Sequence, residues 1–197
     1  MANIPMEKTL VVLKPDAVQR GLIGEIITRF EKVGLKVAAA KMFVPSQDLL
    51  DRHYPSDRKE FVEMLGTRTV ESYREAGIDP VSQFGHDDVA KIGEEVRRWL
   101  TDFMKSGPVM AFVLEGPHAI EIVRKIVGST LPQKSMPGTI RGDYSFDSSF
   151  LANANSRPIK NLIHASGNKA EAEFEVNLWF APDEVHDYET IHQKHMS

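Results

Sequence analysis

The chain has 197 residues, enough for one sizeable core or at most two small ones. Hydrophobic residues make up 42% and charged residues 26%, a globular composition that excludes a disordered chain. A net charge of -4 gives no bulk attraction to nucleic acid or anionic membrane, and the absence of cysteine excludes disulfides, thiol catalysis and cysteine-ligated metals. Any polyanion must therefore be met by a local basic cluster. The start, Met1–Pro5, lacks the charged and apolar regions of a signal peptide, and no apolar run is long enough to cross a bilayer. A cytoplasmic location is expected.

In chain order, Lys8–Leu13 (KTLVVL) is a β-branched apolar run that reads as a central strand, ended by Lys14-Pro15-Asp16. Ile23, Ile26, Ile27, Phe30 and Val33 recur at helical spacing before Gly34. Leu35–Val44 alternates as a second strand, and Ser46 precedes a short helix that Pro55 breaks. Residues 56–106 carry no strand signal. Helical pieces are expected near Arg58–Leu65 and Thr69–Ala76, then a loop over Gly77–Asp87. A stronger helix follows, with Val89, Ile92, Val96, Leu100 and Phe103 on its apolar face.

Ser106-Gly107-Pro108 stops that helix, and Val109–Leu114 reads as a third strand covered on both faces. Gly116-Pro117 opens the next expected helix, in which Arg124 falls, and Gly128 caps it. Ser129–Pro158 has no regular periodicity, and a loop of such length in a compact domain is usually functional. Asn161–Ser166 supplies a short fourth strand, and Asn168 with Glu171 begins the final helix in a capping-box-like arrangement. In the polar tail His186, His192 and His195 are too irregularly spaced for a metal site, which favours a solvated or subunit-contacting tail. Two split βαβ halves around a four-stranded antiparallel sheet predict an α+β, ferredoxin-like βαββαβ sandwich with added helices. No linker or internal repeat divides residues 1–197.

The fourth strand delivers His164 and Ser166 to the start of a helix. A histidine held there by rigid backbone suits a nucleophile or proton carrier. By itself, a histidine after an apolar run is more often a hydrogen-bonded core or rim residue. No glycine-rich phosphate loop is present, so basic side chains must hold any phosphate. Lys14, Arg124 and Arg141 are the candidates, although each has an ordinary alternative as a turn residue, a snorkelling helix residue or a partner for Asp143.

Several stretches together resemble the nucleoside diphosphate kinases. They are Lys14–Leu22, His53-Tyr54, Ser106–Val109, Pro137–Asp143 (PGTIRGD) and Asn161–Ser166 (NLIHAS), in that order along the chain. The resemblance implies transfer of the γ-phosphate of ATP or another nucleoside triphosphate to a nucleoside diphosphate, through a phosphohistidine on His164. By position it implies that Lys14, Arg124, Thr130 and Arg141 hold phosphates and that Asn161 helps hold the ribose. Tyr54 would lie beside the transferred phosphate, and Glu175 and Ser166 would orient the histidine. Mg2+ would come with the nucleotide phosphates rather than from a protein cage. The family also implies a homo-oligomer, hexamer or tetramer. The energetics suit the assignment, because exchange between two phosphoanhydrides is nearly thermoneutral and a phosphohistidine has a comparable transfer potential.

Two segments are longer than the family pattern, a helical insertion at about 62–99 and a loop insertion at about 148–157. The family clamps the base with an aromatic and a leucine four residues later. Phe61 and Leu65 fit if the insertion follows them, Val96 and Leu100 if it precedes them. Two further readings are a non-catalytic module binding nucleotide or single-stranded nucleic acid, and a relay passing its phosphate to a protein. Apolar rather than aromatic strands and the acidic net charge count against nucleic acid.

Overall fold

The computed structural model of the protein describes residues 5–196. Met1–Ile4, most of the stretch read for a targeting signal, and Ser197 lie outside them. Four strands, β1 (Met6–Leu13), β2 (Lys36–Phe43), β3 (Val109–Pro117) and β4 (Ile163–Ala165), form one sheet in the order β2-β3-β1-β4. Every neighbouring pair is antiparallel. This is the expected ferredoxin-like α+β arrangement.

The helices are α1 (Pro15–Gln19), α2 (Ile23–Lys32), α3 (Gln47–His53), α4 (Lys59–Glu75), α5 (Pro80–Phe84) and α6 (Val89–Lys105), then α7 (Ala119–Val127), α8 (Ile140–Tyr144), α9 (Ser149–Ala154), α10 (Lys169–Trp179) and α11 (Ile191–Met196). Val11, Leu13, Phe112 and Leu114 meet Ile26 and Phe30 of α2 and Val123 of α7 on one face of the sheet. Leu10, Val12, Ala111 and Val113 meet Leu50 of α3, Met104 of α6 and Trp179 of α10 on the other. Both faces are covered, so the strands must be apolar throughout rather than alternating. Each such side chain contributes roughly 1.5–3 kcal/mol when fully buried. The result is a rigid platform whose edge strand, β4, is only three residues long.

Several boundaries differ from the sequence reading. The two pieces expected around Leu65 and Thr69 are one helix, α4, which runs through Gly66 without a break. Gly66 is a contact residue rather than a breaker. A Cβ there would run into the Val89 carbonyl, and one at Gly93 into the Val62 carbonyl, so the two glycines let α4 and α6 touch backbone to backbone. The loop over 77–87 contains α5, and the aperiodic stretch 129–158 contains α8 and α9, each too short for a period to show. On α6 only Ile92 of the five expected face residues is fully buried, while Trp99 and Met104 carry much of the packing. β3 continues through Gly116 to Pro117, which pairs with Met6, so the proline ends a strand instead of opening a helix. The tail docks on its own chain: the His186 amide donates to the Ala38 carbonyl at 2.8 Å, at the bulge in β2.

Because an alanine side chain at Gly66 collides with backbone, Gly66→Ala should destabilise the fold by about 1–3 kcal/mol, although alanine favours an isolated helix by about 1 kcal/mol. Gly93→Ala should behave alike, and the pair should be non-additive because one crossing is broken in both. Denaturant unfolding of the three variants checks this. A stabilised Gly66→Ala protein would contradict the contact.

Candidate active site

The site begins at the end of β1. Pro15 stops the strand, and the Lys14 amide donates instead to the Leu162 carbonyl at 2.8 Å. Asp16 reaches the same residue, accepting from the Leu162 amide at 3.1 Å. Leu162 has φ 68°, and the Ile163 amide donates across it to the Asn161 carbonyl at 2.8 Å. This three-residue turn with a left-handed leucine at its centre is a strained conformation, costing about 1–3 kcal/mol. The bonds from residues 14 and 16 hold it in place. It aims the chain into β4 so that His164 stands opposite Val12. Directly opposed residues share a face, so His164 points toward α3 and α10.

There Nε2 of His164 meets the Glu175 carboxylate, 2.9 Å from Oε1 and 3.0 Å from Oε2. Ser166 donates to Glu175 Oε2 at 2.6 Å and is itself fully buried. Burial alone would raise the carboxyl pKa of Glu175, but His164, His53 and Ser166 outweigh it and hold the group below its ordinary range. Glu175 is therefore a carboxylate at neutral pH, and the His164 proton belongs on Nε2. Nδ1 has no hydrogen-bond partner among the described residues and is left as the unprotonated nitrogen.

Behind this pair lies His53, whose ring packs edge-on against His164 with centroids 4.6 Å apart. Trp179 Nε1 donates to His53 Nδ1 at 3.3 Å, which puts the His53 proton on Nε2, a buried atom without a partner. Burial, with His164 and Lys14 adding to it, pushes the His53 pKa down to about 3. His53 is thus a neutral wall behind the nucleophile. His53 entered the sequence reading only as part of the His53-Tyr54 motif, and no spacing in the chain shows that its ring would reach His164.

The basic residues gather on the backbone just before His164. Lys14 Nζ donates to Asn161 Oδ1 at 2.7 Å, and Asn161 Nδ2 donates to the Thr130 carbonyl at 2.9 Å. Arg141 donates through Nε to the Asn161 carbonyl, through Nη1 to Gly128 and through Nη2 to Ile163. It does not pair with Asp143, which binds Arg29 at 2.6 Å. Burial lowers Lys14 to about 8 and Arg141 to about 10; Arg141 further depresses Lys14, and Arg124 further depresses Arg141. Arg141 thus lies near enough to Lys14, and Arg124 near enough to Arg141, for the paired charges to repel. Arg124 itself is exposed on α7 and makes no ion pair among the described residues. Thr130 contributes its carbonyl to Asn161, and its side chain is exposed.

On the α3–α4 side Tyr54 is buried, and burial pushes its phenol well above the usual range. Phe61 stacks on Tyr54 with centroids 6.4 Å apart, and Leu65 lies one turn further along α4, half-buried. Leu100 packs into the core cluster that holds Tyr54 and Met104. Val96 is half-buried on α6.

Among the described residues one group has metal-ligand spacing: His53, His164 and Glu175, with donor atoms within 4.8 Å of one another. An ion there would take the Nε2 atom and the carboxylate that orient the ring. Near the cations, Asp16 has both oxygens engaged by backbone amides, those of Ala17 and Leu162, so it is not a spare metal ligand.

The family model of nucleoside diphosphate kinase matches residues 7–71 and 91–185. The chain belongs to the nucleoside diphosphate kinase family. A nucleoside diphosphate kinase of Pyrobaculum aerophilum is 50% identical over 182 residues, covering 92% of this chain and 99% of that protein. One from Borreliella burgdorferi is 39% identical, covering 93% and 92%. The crystal structure of an NDP kinase from Pyrobaculum aerophilum superposes with a TM-score of 0.89 at 49% identity, covering 93% of this chain and 100% of that one. A transition-state mimic of the nucleoside-diphosphate kinase of Borrelia burgdorferi, with bound vanadate and ADP, superposes at 0.76 with 37% identity, each chain covered to 96%. Among the described residues no helix is long and apolar enough to cross a membrane.

The buried histidine behind the nucleophile makes the fold of this family member acid-sensitive. Unfolded, His53 binds a proton below its ordinary value of 6.5; folded, it does not until about 3. Each pH unit within that window removes up to about 1.4 kcal/mol of stability. Glu175, depressed in the folded state, adds a further loss as pH falls below its ordinary value of 4.5. His53→Gln should flatten the dependence of Tm on pH between 6.5 and 4.5; an unchanged slope would show that His53 is not the titrating group.

Proposed function

We propose that His164 carries the γ-phosphate from a nucleoside triphosphate to a nucleoside diphosphate in a ping-pong exchange. The observation that carries this is the engagement of Nε2 by Glu175, which leaves Nδ1 open beside residues that anchor two buried cations. In the first half-reaction Nδ1 attacks the γ-phosphorus, and an N–P bond forms as the bond to the β,γ-bridging oxygen breaks. The electron pair leaves with the nucleoside diphosphate. The ring keeps its Nε2 proton, and its gain in positive charge falls next to the Glu175 carboxylate. The second half-reaction reverses these bonds on a different diphosphate, whose terminal oxygen attacks phosphorus while nitrogen departs.

Lys14, Arg124 and Arg141 would spread over the phosphoryl oxygens, where positioning and electrostatics carry most of the rate. Their mutual repulsion in the free protein is relieved by an incoming polyanion. Asn161, with one lone pair and one N–H still unused, would hold a ribose hydroxyl, and Thr130 would help at the phosphates. Tyr54 would line the same space. Mg2+ would come with the nucleotide, held through phosphates that Lys14, Arg124 and Arg141 bind, and would neutralise part of their charge. For the base, Phe61 and Leu65 are the better clamp, because Phe61 supplies the aromatic that Val96 lacks and stacks on Tyr54. The helical insertion, which the family match narrows from about 62–99 to residues 72–90, and the loop insertion (about 148–157) then enlarge the rim of a single domain.

A cytoplasmic location is proposed on the activity, and a hexamer or tetramer on the family. The exposed Phe146 and Met136, at 86% and 72%, support a subunit contact on the loop before β4, which sedimentation of the purified chain tests.

Labelled ATP should leave an acid-labile, alkali-stable phosphate on the wild-type protein and none on His164→Asn. Turnover with a panel of diphosphates should fall by at least about a thousandfold in that variant, as expected when a covalent nucleophile is removed. Full turnover by His164→Asn would sink the assignment.

A further inference from the structure

The loop insertion is closed at its neck by one buried carboxylate. Asp147 is only 6% exposed and accepts four hydrogen bonds. Arg157 supplies two of them, at 2.5 and 3.0 Å, as a bidentate fork. The Ser148 amide gives one at 3.0 Å and the Lys160 amide one at 2.7 Å. Across the same neck Ser145 Oγ donates to the Lys160 carbonyl at 2.8 Å. Both faces of the peptide flow through Lys160 are therefore pinned, its N–H by Asp147 and its C=O by Ser145.

The residue after Lys160 is Asn161, from which the strained turn and β4 follow. Asn161 has one lone pair and one N–H to spare only if its backbone sits where Lys14 and the Thr130 carbonyl can take the others. The insertion thus does more than decorate a surface. Its stem sets the entry of the chain into the nucleotide site, and its tip, α9, leans on α4, the helix that carries Phe61 and Leu65. Gln83 Nε2 donates to Ser156 Oγ at 2.8 Å, and a cavity of about 220 Å3 lies between Tyr73, Ile78 and Gln83 on one side and Phe150 and Asn153 on the other.

We propose that Asp147, latched by Arg157, is a positioning residue for nucleotide sugar: through Lys160 it holds Asn161 in place for a ribose hydroxyl. A buried carboxylate with a bidentate arginine and two amides is a strong clamp, because charge-assisted bonds are about twice as strong as neutral ones. Neither residue touches the phosphates or His164. The inference rests on the proposed kinase reaction and adds a residue outside the family's motifs.

The test uses the whole protein with ADP and 2′,3′-dideoxy-ADP as probes. Asp147→Asn preserves size and removes the charge. It should weaken ADP binding by about tenfold, the effect of one lost hydrogen bond to a sugar hydroxyl, and raise KM for ADP in step. Dideoxy-ADP, which cannot use that bond, should bind the variant within about twofold of wild type. Arg157→Lys keeps a charge but not the fork, so it should show the same sugar-selective loss at a smaller size, and it serves if Asp147→Asn fails to fold by circular dichroism. Equal weakening toward both probes, or none toward ADP, overturns the positioning role while wild-type transfer leaves the kinase reading intact. A wild-type protein that transfers no phosphate to ADP overturns both.

Discussion

The short tie between the end of β1 and the start of β4 is the constraint on which the site depends. Lys14 and Asp16 grip the backbone of Leu162 from both sides, and between them they hold a leucine in a conformation it would not adopt alone. The same two residues contribute to the chemistry next door, Lys14 through its ammonium and Asp16 through the field it exerts on Lys14 and Arg141. A turn that needed no support could be made by glycine. A turn that is supported makes the position of His164 a consequence of β1, whose last five residues are all buried, so the placement of His164 derives from the core.

Electrostatics run in opposite directions on the two sides of His164. On the Nε2 side Glu175 stays ionised in a buried place because two histidine rings and a serine favour the carboxylate. On the other side Lys14 and Arg141 are crowded and desolvated, and burial lowers Lys14 to about 8. Such a cluster is poorly stable by itself and gains from an incoming polyanion. Charges placed in advance need no reorganisation when phosphoryl charge arrives. His53, packed behind His164 on the Glu175 side, is neutral and so cancels none of the Glu175 field.

How much of this was legible in the sequence follows from which forces were local. β1 and β3 could be read because burial on both faces leaves an apolar run, and the caps of α3 and α10 because Ser46 and Asn168 act within three residues. The site motifs could be read because Lys14, Arg141 and Asn161–Ser166 each lie in a short distinctive stretch. What failed depended on distant partners. Gly66 looked like an end of a helix because nothing nearby says that Gly93 waits opposite it. Pro117 looked like the first turn of a helix because its partner, Met6, is far away in the chain. His53 carried no visible role, and Asp147 looked like one more acid in a polar loop, since its four donors are spread from residue 148 to residue 160.

The two insertions now have a physical relation that neither has in isolation. One extends the α4–α6 hairpin beyond the residues proposed to grip the base, and the other leads into the residue proposed to grip the sugar. They meet at Gln83 and Ser156 and across the cavity between Tyr73 and Phe150. A hairpin joined to a rigid sheet at one end is free to swing, and a loop closed by a latch is free to tilt. Docked on each other, the two insertions limit each other's movement at these contacts. The Gly66–Gly93 crossing stiffens the first arm and the Asp147–Arg157 fork the second. Each arm of the rim thus carries its own brace, one behind the residues proposed for the base and one behind the residue proposed for the sugar.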